Sequence, residues 1–145
     1  MRMKVTLMAA LLAAPLVQAE PVVGDVKLTM ADRLPQEEQY IRAGIVLLGG
    51  LYNTLAQVQD HDSAQAAVAT IVRLTRELQT WAQGVAALPP LSEETKTMYE
   101  VRYLPMIRQL NDHLRVQGER LAASDYYGSQ DLSTALISLY CTTQQ

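Results

Sequence analysis

From Pro35 onward, apolar residues recur at steps of three and four, the spacing that lines side chains along one face of an α-helix. Ile41, Ile45, Leu48, Leu51 or Tyr52, Leu55 and Val58 predict a first helix that opens at Pro35 and ends near Val58. Proline suits the first helical position because its missing N–H would be unpaired there, and Glu37 and Glu38 place negative charge at the positive end of the helix dipole. After the polar stretch Gln59-Asp60-His61-Asp62 comes the clearest period in the chain: Ala64, Ala67 or Val68, Ile71, Leu74, Leu78, Trp81, Val85 and Leu88. Asp62 or Ser63 is the expected N-cap. So narrow a seam has to pack on another helix.

Pro89-Pro90 ends the second helix, since consecutive prolines remove donors and push the preceding residue out of helical geometry. Ser92 restarts one, with Glu93 and Glu94 in its first turn and Tyr99, Tyr103, Ile107, Leu110, Leu114 and Leu121 along its apolar face. Pro105 costs about 3 kcal/mol inside a helix and predicts a kink between Val101 and Pro105. Tyr126-Tyr127-Gly128 marks a turn, after which Ser129 or Asp131 caps a last helix carrying Leu132, Ala135, Leu136 and Leu139. Short connections make neighbouring helices antiparallel. The expected fold is therefore all-α, an up-and-down antiparallel bundle of three long helices plus a short C-terminal helix, spanning residues 35–145. The glycines Gly49-Gly50 fall inside the first helix, where the expected compensation is close approach of a neighbour.

The residues ahead of the bundle have a different character. Arg2 and Lys4, the apolar stretch Val5 to Val17, and Val17-Gln18-Ala19 before Glu20 read as a signal peptide over residues 1–19. The apolar stretch is shorter than the roughly 20 residues that span a bilayer, so no stable membrane insertion is expected after cleavage. Residues 20–34, with Pro21 and Gly24, read as an extended arm. Export to the periplasm or the extracellular space follows.

Cleavage removes two of the twelve basic residues and leaves ten against fifteen acidic ones, a net charge of −5. An acidic chain without a basic run excludes nucleic acid and anionic membrane surfaces, both of which need positive charge. The single cysteine, Cys141, has no partner for an intramolecular disulfide. It is read as a small apolar residue closing the last helix, with an intermolecular bridge or a reactive thiol as alternatives.

Folding the second and third helices back about Pro89-Pro90 sets Asp112 and His113 opposite the start of the second helix. Two imidazoles and three carboxylates, from Asp60, His61, Asp62, Asp112 and His113, would then meet at one end, a donor set that suits zinc or another divalent ion. Seven tyrosines and no phenylalanine give nearly every large ring a polar tip. Tyr40, Tyr52, Tyr99 and Tyr103 are expected at the edge of the core with hydroxyls at the surface. Tyr126 and Tyr127, together with Cys141, are the candidates for a contact surface.

The plan of helices joined by a proline-containing turn, over Leu51 to Ala123, resembles that of the soluble b-type cytochromes. The resemblance implies a methionine in the first helix and a histidine in the last as haem ligands. Here the first helix has no methionine and the last no histidine; with one cysteine there is no C-x-x-C-H attachment either. No cofactor is expected. The L-T-x-x-Q motifs of periplasmic helical stress chaperones are absent, as are G-x-S-x-G, H-E-x-x-H and S-x-x-K. The sequence thus points to a non-catalytic bundle acting through an unidentified protein partner or self-association, with small-molecule or divalent-metal binding as the alternative.

Overall fold

The computed structural model describes residues 34–143, so the expected signal peptide and nearly all of the expected arm lie outside the described residues. Four helices follow in order: α1 (Gln36–Ala56), α2 (His61–Ala86), α3 (Glu93–Ala123) and α4 (Gln130–Thr143), with a single turn, Asp125–Gly128, between the last two. The fold is all-α, as the periodicity predicts. Among the described residues no helix is long and apolar enough to cross a membrane.

Start and stop signals account for most boundaries. Pro35 is the N-cap of α1 rather than its first residue. Asp60, two positions ahead of Asp62, the nearer of the two caps expected, caps α2: its Oδ1 accepts from the Ser63 N–H at 2.8 Å, and Ser63 Oγ accepts from the Asp60 N–H at 3.0 Å. That reciprocal pair is a capping box, with serine in the place usual for glutamate. Those bonds, the backbone one foremost, hold the Asp60 carboxyl below its ordinary value. Ser92 accepts from Thr95 to start α3, and the buried Ser129 accepts from Leu132 N–H at 3.1 Å to start α4. Pro105 sits inside α3 on an exposed position, and the helix continues past it.

Chain direction alternates, yet the packing order differs from the chain order. The extensive helix contacts are α1 with α2, α1 with α3, and α2 with α4; neither α2–α3 nor α3–α4 makes a comparable one. The Pro89-Pro90 connection therefore does not fold α2 and α3 into a packed hairpin. Instead α3 runs parallel to α1, as two contacts at opposite ends show: Glu38 meets Arg102, and the Leu55 carbonyl meets Arg120. Likewise α4 runs parallel to α2, beginning beside His61 and ending where Gln79 Nε2 donates to Thr142 Oγ1 at 3.2 Å.

Two apolar clusters fill the seams. One gathers Leu51, Leu55, Val58, Ile71, Leu74 and Leu78 with Leu121, Leu132, Leu136 and Leu139. The other sets Ile41, Leu48 and Trp81 against Tyr99, Tyr103 and Ile107. Gly49 and Gly50 do not mark a close approach: a β-carbon on Gly49 would meet nothing within 4 Å, and one on Gly50 only the tip of Leu74 at 3.7 Å. The close approaches occur at Gly84, where a β-carbon would stand 2.7 Å from the Tyr40 hydroxyl, and at Gly118, at the same distance from the Tyr140 hydroxyl.

Candidate functional site

The two halves of the bundle carry different chemistry. Near the start of α1, Glu38 is only 4% exposed, although the sequence presents it as an ordinary first-turn acid. The Tyr103 hydroxyl donates to Glu38 Oε1, Arg102 Nη1 donates to the same oxygen at 2.8 Å, and Arg42 Nη2 stands 3.7 Å away. Arg42 Nε also donates to the Tyr103 hydroxyl at 3.2 Å. Burial alone would raise the carboxyl's pKa; the hydrogen bonds from Tyr103 and Arg102 and the charges of both arginines outweigh it and hold Glu38 below the ordinary glutamate value. Tyr99 and Tyr103 are thus inside the core, and the Tyr103 hydroxyl finds its partner there instead of at the surface. This knot is structural: its acceptor is surrounded by donors of the protein itself.

At the other end, Arg120 of α3 organises three elements. Its guanidinium donates to the carbonyls of Leu55 and Val58, each at 2.9 Å, and to the Tyr127 hydroxyl at 3.1 Å, while Nε donates to Gln117 Oε1 at 2.8 Å. Helix α1 has no basic residue in its own last turn. Arg120 brings positive charge and donors from another helix to the carbonyl end of α1, where the Leu55 carbonyl also accepts from the Val58 N–H at 3.2 Å.

Tyr127 belongs to the turn Asp125–Gly128, whose backbone is left-handed throughout, with φ of 48°, 51° and 53° at Asp125, Tyr126 and Tyr127 and 74° at Gly128. For L-residues this costs about 1–2 kcal/mol each, least for aspartate and not at all for glycine. Offsetting contacts are present. Tyr127 N–H donates to Ser124 O and Ser129 N–H to Tyr126 O, both at 3.0 Å, and the two tyrosine rings pack against the larger core cluster. His61 Nδ1 lies 3.0 Å from the Tyr127 carbonyl. A carbonyl only accepts, so this contact assigns the ring proton to Nδ1.

Those contacts separate the residues read as a metal centre. His61 is committed to the turn. His113 stacks on Tyr52 with ring centroids 5.5 Å apart. Arg120, the residue of α3 level with the end of α1, lies seven positions beyond His113, about 10 Å along the axis at 1.5 Å per residue. Asp60 is a cap, and Asp62 and Asp112 are exposed. Among the described residues no group of three or more His, Cys, Asp or Glu is placed to hold a metal ion. The expected gathering fails because it presumes a packed α2–α3 hairpin. Of the contact-surface candidates, Tyr126 and Tyr127 are half-buried in the turn, whereas Cys141 is a free, exposed thiol and not a buried closing residue.

What the packing order leaves is a groove. Because the backbones of α3 and α4 stay apart, with only the Tyr140 hydroxyl reaching across to Gly118, a cavity of about 440 Å³ opens between them. Leu48, Leu51 and Leu55 of α1 and Leu78 of α2 line it, α3 contributes Leu114 and Gly118, and α4 contributes Leu139 and Tyr140. Tyr126 of the left-handed turn lines the end where the two walls are joined. Polar lining comes from Asn111, Arg115 and Glu119. Tyr140 is half-exposed, and burial of its phenol, followed by the nearby Tyr126, pushes its pKa up. Heptad-like leucines announce a packed seam equally well, so periodicity alone did not distinguish the groove from core. Comparison with protein-family models, with known proteins and with solved structures finds no match for this chain.

Proposed function

We propose that the chain is an exported, non-catalytic binding protein whose α3–α4 groove takes a small apolar ligand. One observation carries this reading: a leucine-lined groove of about 440 Å³ left open between α3 and α4. Its volume falls within the range of ligand sites, roughly 300–1,000 Å³, and its lining is apolar with a few convergent polar groups, the usual make-up of such sites. Titration with the uncharged fluorophore N-phenyl-1-naphthylamine tests it. Saturable binding at one site per chain is expected, lost when Leu114→Trp fills the groove while helicity by circular dichroism is retained. Binding unaffected by that substitution would place the fluorophore elsewhere and end this reading. For export, mass spectrometry of the secreted chain should find Glu20 at its N-terminus; an uncleaved Met1 would contradict it.

Protein contact is a second reading, favoured by a separate observation. Met98, Val101 and Met106 stand exposed on the first half of α3, Val101 at 75%. Light scattering with and without reductant tests the self-association version, in which the exposed Cys141 bridges two copies. A monomer under both conditions removes it.

A further inference from the structure

Resting on the ligand-binding reading of the groove, we infer that its ligand is electrically neutral: an apolar body whose polar group is a hydroxyl, carbonyl or other uncharged function. Two of the groove-lining residues are ionic, Arg115 and Glu119, and they lie one turn apart on α3. Arg115 Nη1 stands 2.8 Å from Glu119 Oε1, so each already neutralises the other. A carboxylate brought to Arg115 meets Glu119 beside it, and an ammonium brought to Glu119 meets Arg115. Either ion gives up water to enter an apolar site and finds no net opposite charge there.

The other charged cluster, Glu38 with Arg42 and Arg102, belongs to the far half of the bundle and does not line the groove. The remaining polar lining is neutral. Asn111 brings an amide, and Tyr126 and Tyr140 bring phenols, groups that both donate and accept. The Tyr140 phenol is uncharged in the neutral range, as phenols ordinarily are, and burial moves it further from ionising. Such a lining recognises a dipole and discriminates against either sign of charge.

Head groups on one ten-carbon chain test this directly. 1-Decanol, decanoate and decylammonium are each used to displace N-phenyl-1-naphthylamine from the full chain at pH 7.5 and low salt. Decanol should displace at the lowest concentration. Because decanol is also the most apolar of the three, the deciding measurement is the change on substitution. Glu119→Gln frees Arg115 and should tighten decanoate about fivefold relative to decanol, the upper size expected of an exposed charge pair. Arg115→Gln should do the same for decylammonium. Both side chains are more than 60% exposed, so neither substitution threatens the fold. Decanoate or decylammonium binding as tightly as decanol in the unsubstituted protein, or head-group ratios unmoved by both substitutions, would overturn neutrality and leave the ligand site standing. Failure of the fluorophore to bind at all would overturn the ligand site and neutrality together.

Discussion

Helix α3 meets two neighbours in opposite ways. Against α1 it buries Tyr99, Tyr103 and Ile107, and the polar atoms drawn into that seam are matched by Glu38, Arg42 and Arg102. Toward α4 it offers Leu114 and Gly118, and a groove stays open between them. The same amphipathic helix thus makes a closed seam where its partner is parallel and long, and an open one where its partner is short and tied to it by a strained turn.

The largest expected difference comes from deleting side chains on the two sides. Ile107→Ala, in the closed seam and fully buried, should cost about 2–5 kcal/mol of unfolding free energy. Leu114→Ala, on the groove wall, should cost about 1 kcal/mol, because the lost contacts are fewer and solvent reaches the site. Urea denaturation of both variants measures this, and equal losses would mean that the groove is as well packed as the seam.

The next effect tests whether the closed seam depends on a charge. A carboxyl whose folded pKa is depressed contributes its full stabilisation above the unfolded glutamate range and loses it as the pH falls through the folded value. Wild-type stability should therefore decline below the ordinary glutamate range as Glu38 protonates. Glu38→Gln should cost about 1.5–3 kcal/mol at pH 7, the range for hydrogen bonds to a charged group, and should flatten that acid limb. An unchanged limb would assign it to other carboxylates.

The smallest effect sharpens the groove side. Glycine in place of alanine ordinarily destabilises, but at a left-handed position the order reverses. Tyr126→Gly should be more stable than Tyr126→Ala by about 0.5–1 kcal/mol. The usual order would show that the turn relaxes once its ring is gone.

Much of the fold was legible from local signals. Ala64, Ala67, Ile71, Leu74, Leu78 and Trp81 are all buried, as the α2 period required, and the double proline and Ser92 marked the break before α3. What escaped were features decided by distant partners. Glu38 reads as a helix-start acid until Tyr103 and Arg102 arrive some sixty-five residues later. Arg120 reads as a charge suited to the end of its own helix, whereas it serves the end of α1. The metal reading failed for the same reason, since it inferred adjacency in space from a short connection. Gly118 carried no local signal at all; its meaning lies in the Tyr140 hydroxyl above it.

The turn at Asp125–Gly128 has a stereochemical consequence. Three successive L-residues there hold the backbone angles that their mirror images would adopt without strain. At these positions the chain is built for the opposite enantiomer, and Arg120 and His61 hold it to that shape. A semisynthetic chain with D-alanine at position 126 should accordingly be more stable than its L-alanine counterpart, so that the handedness of one residue, with composition unchanged, tunes how firmly the two walls of the groove are joined.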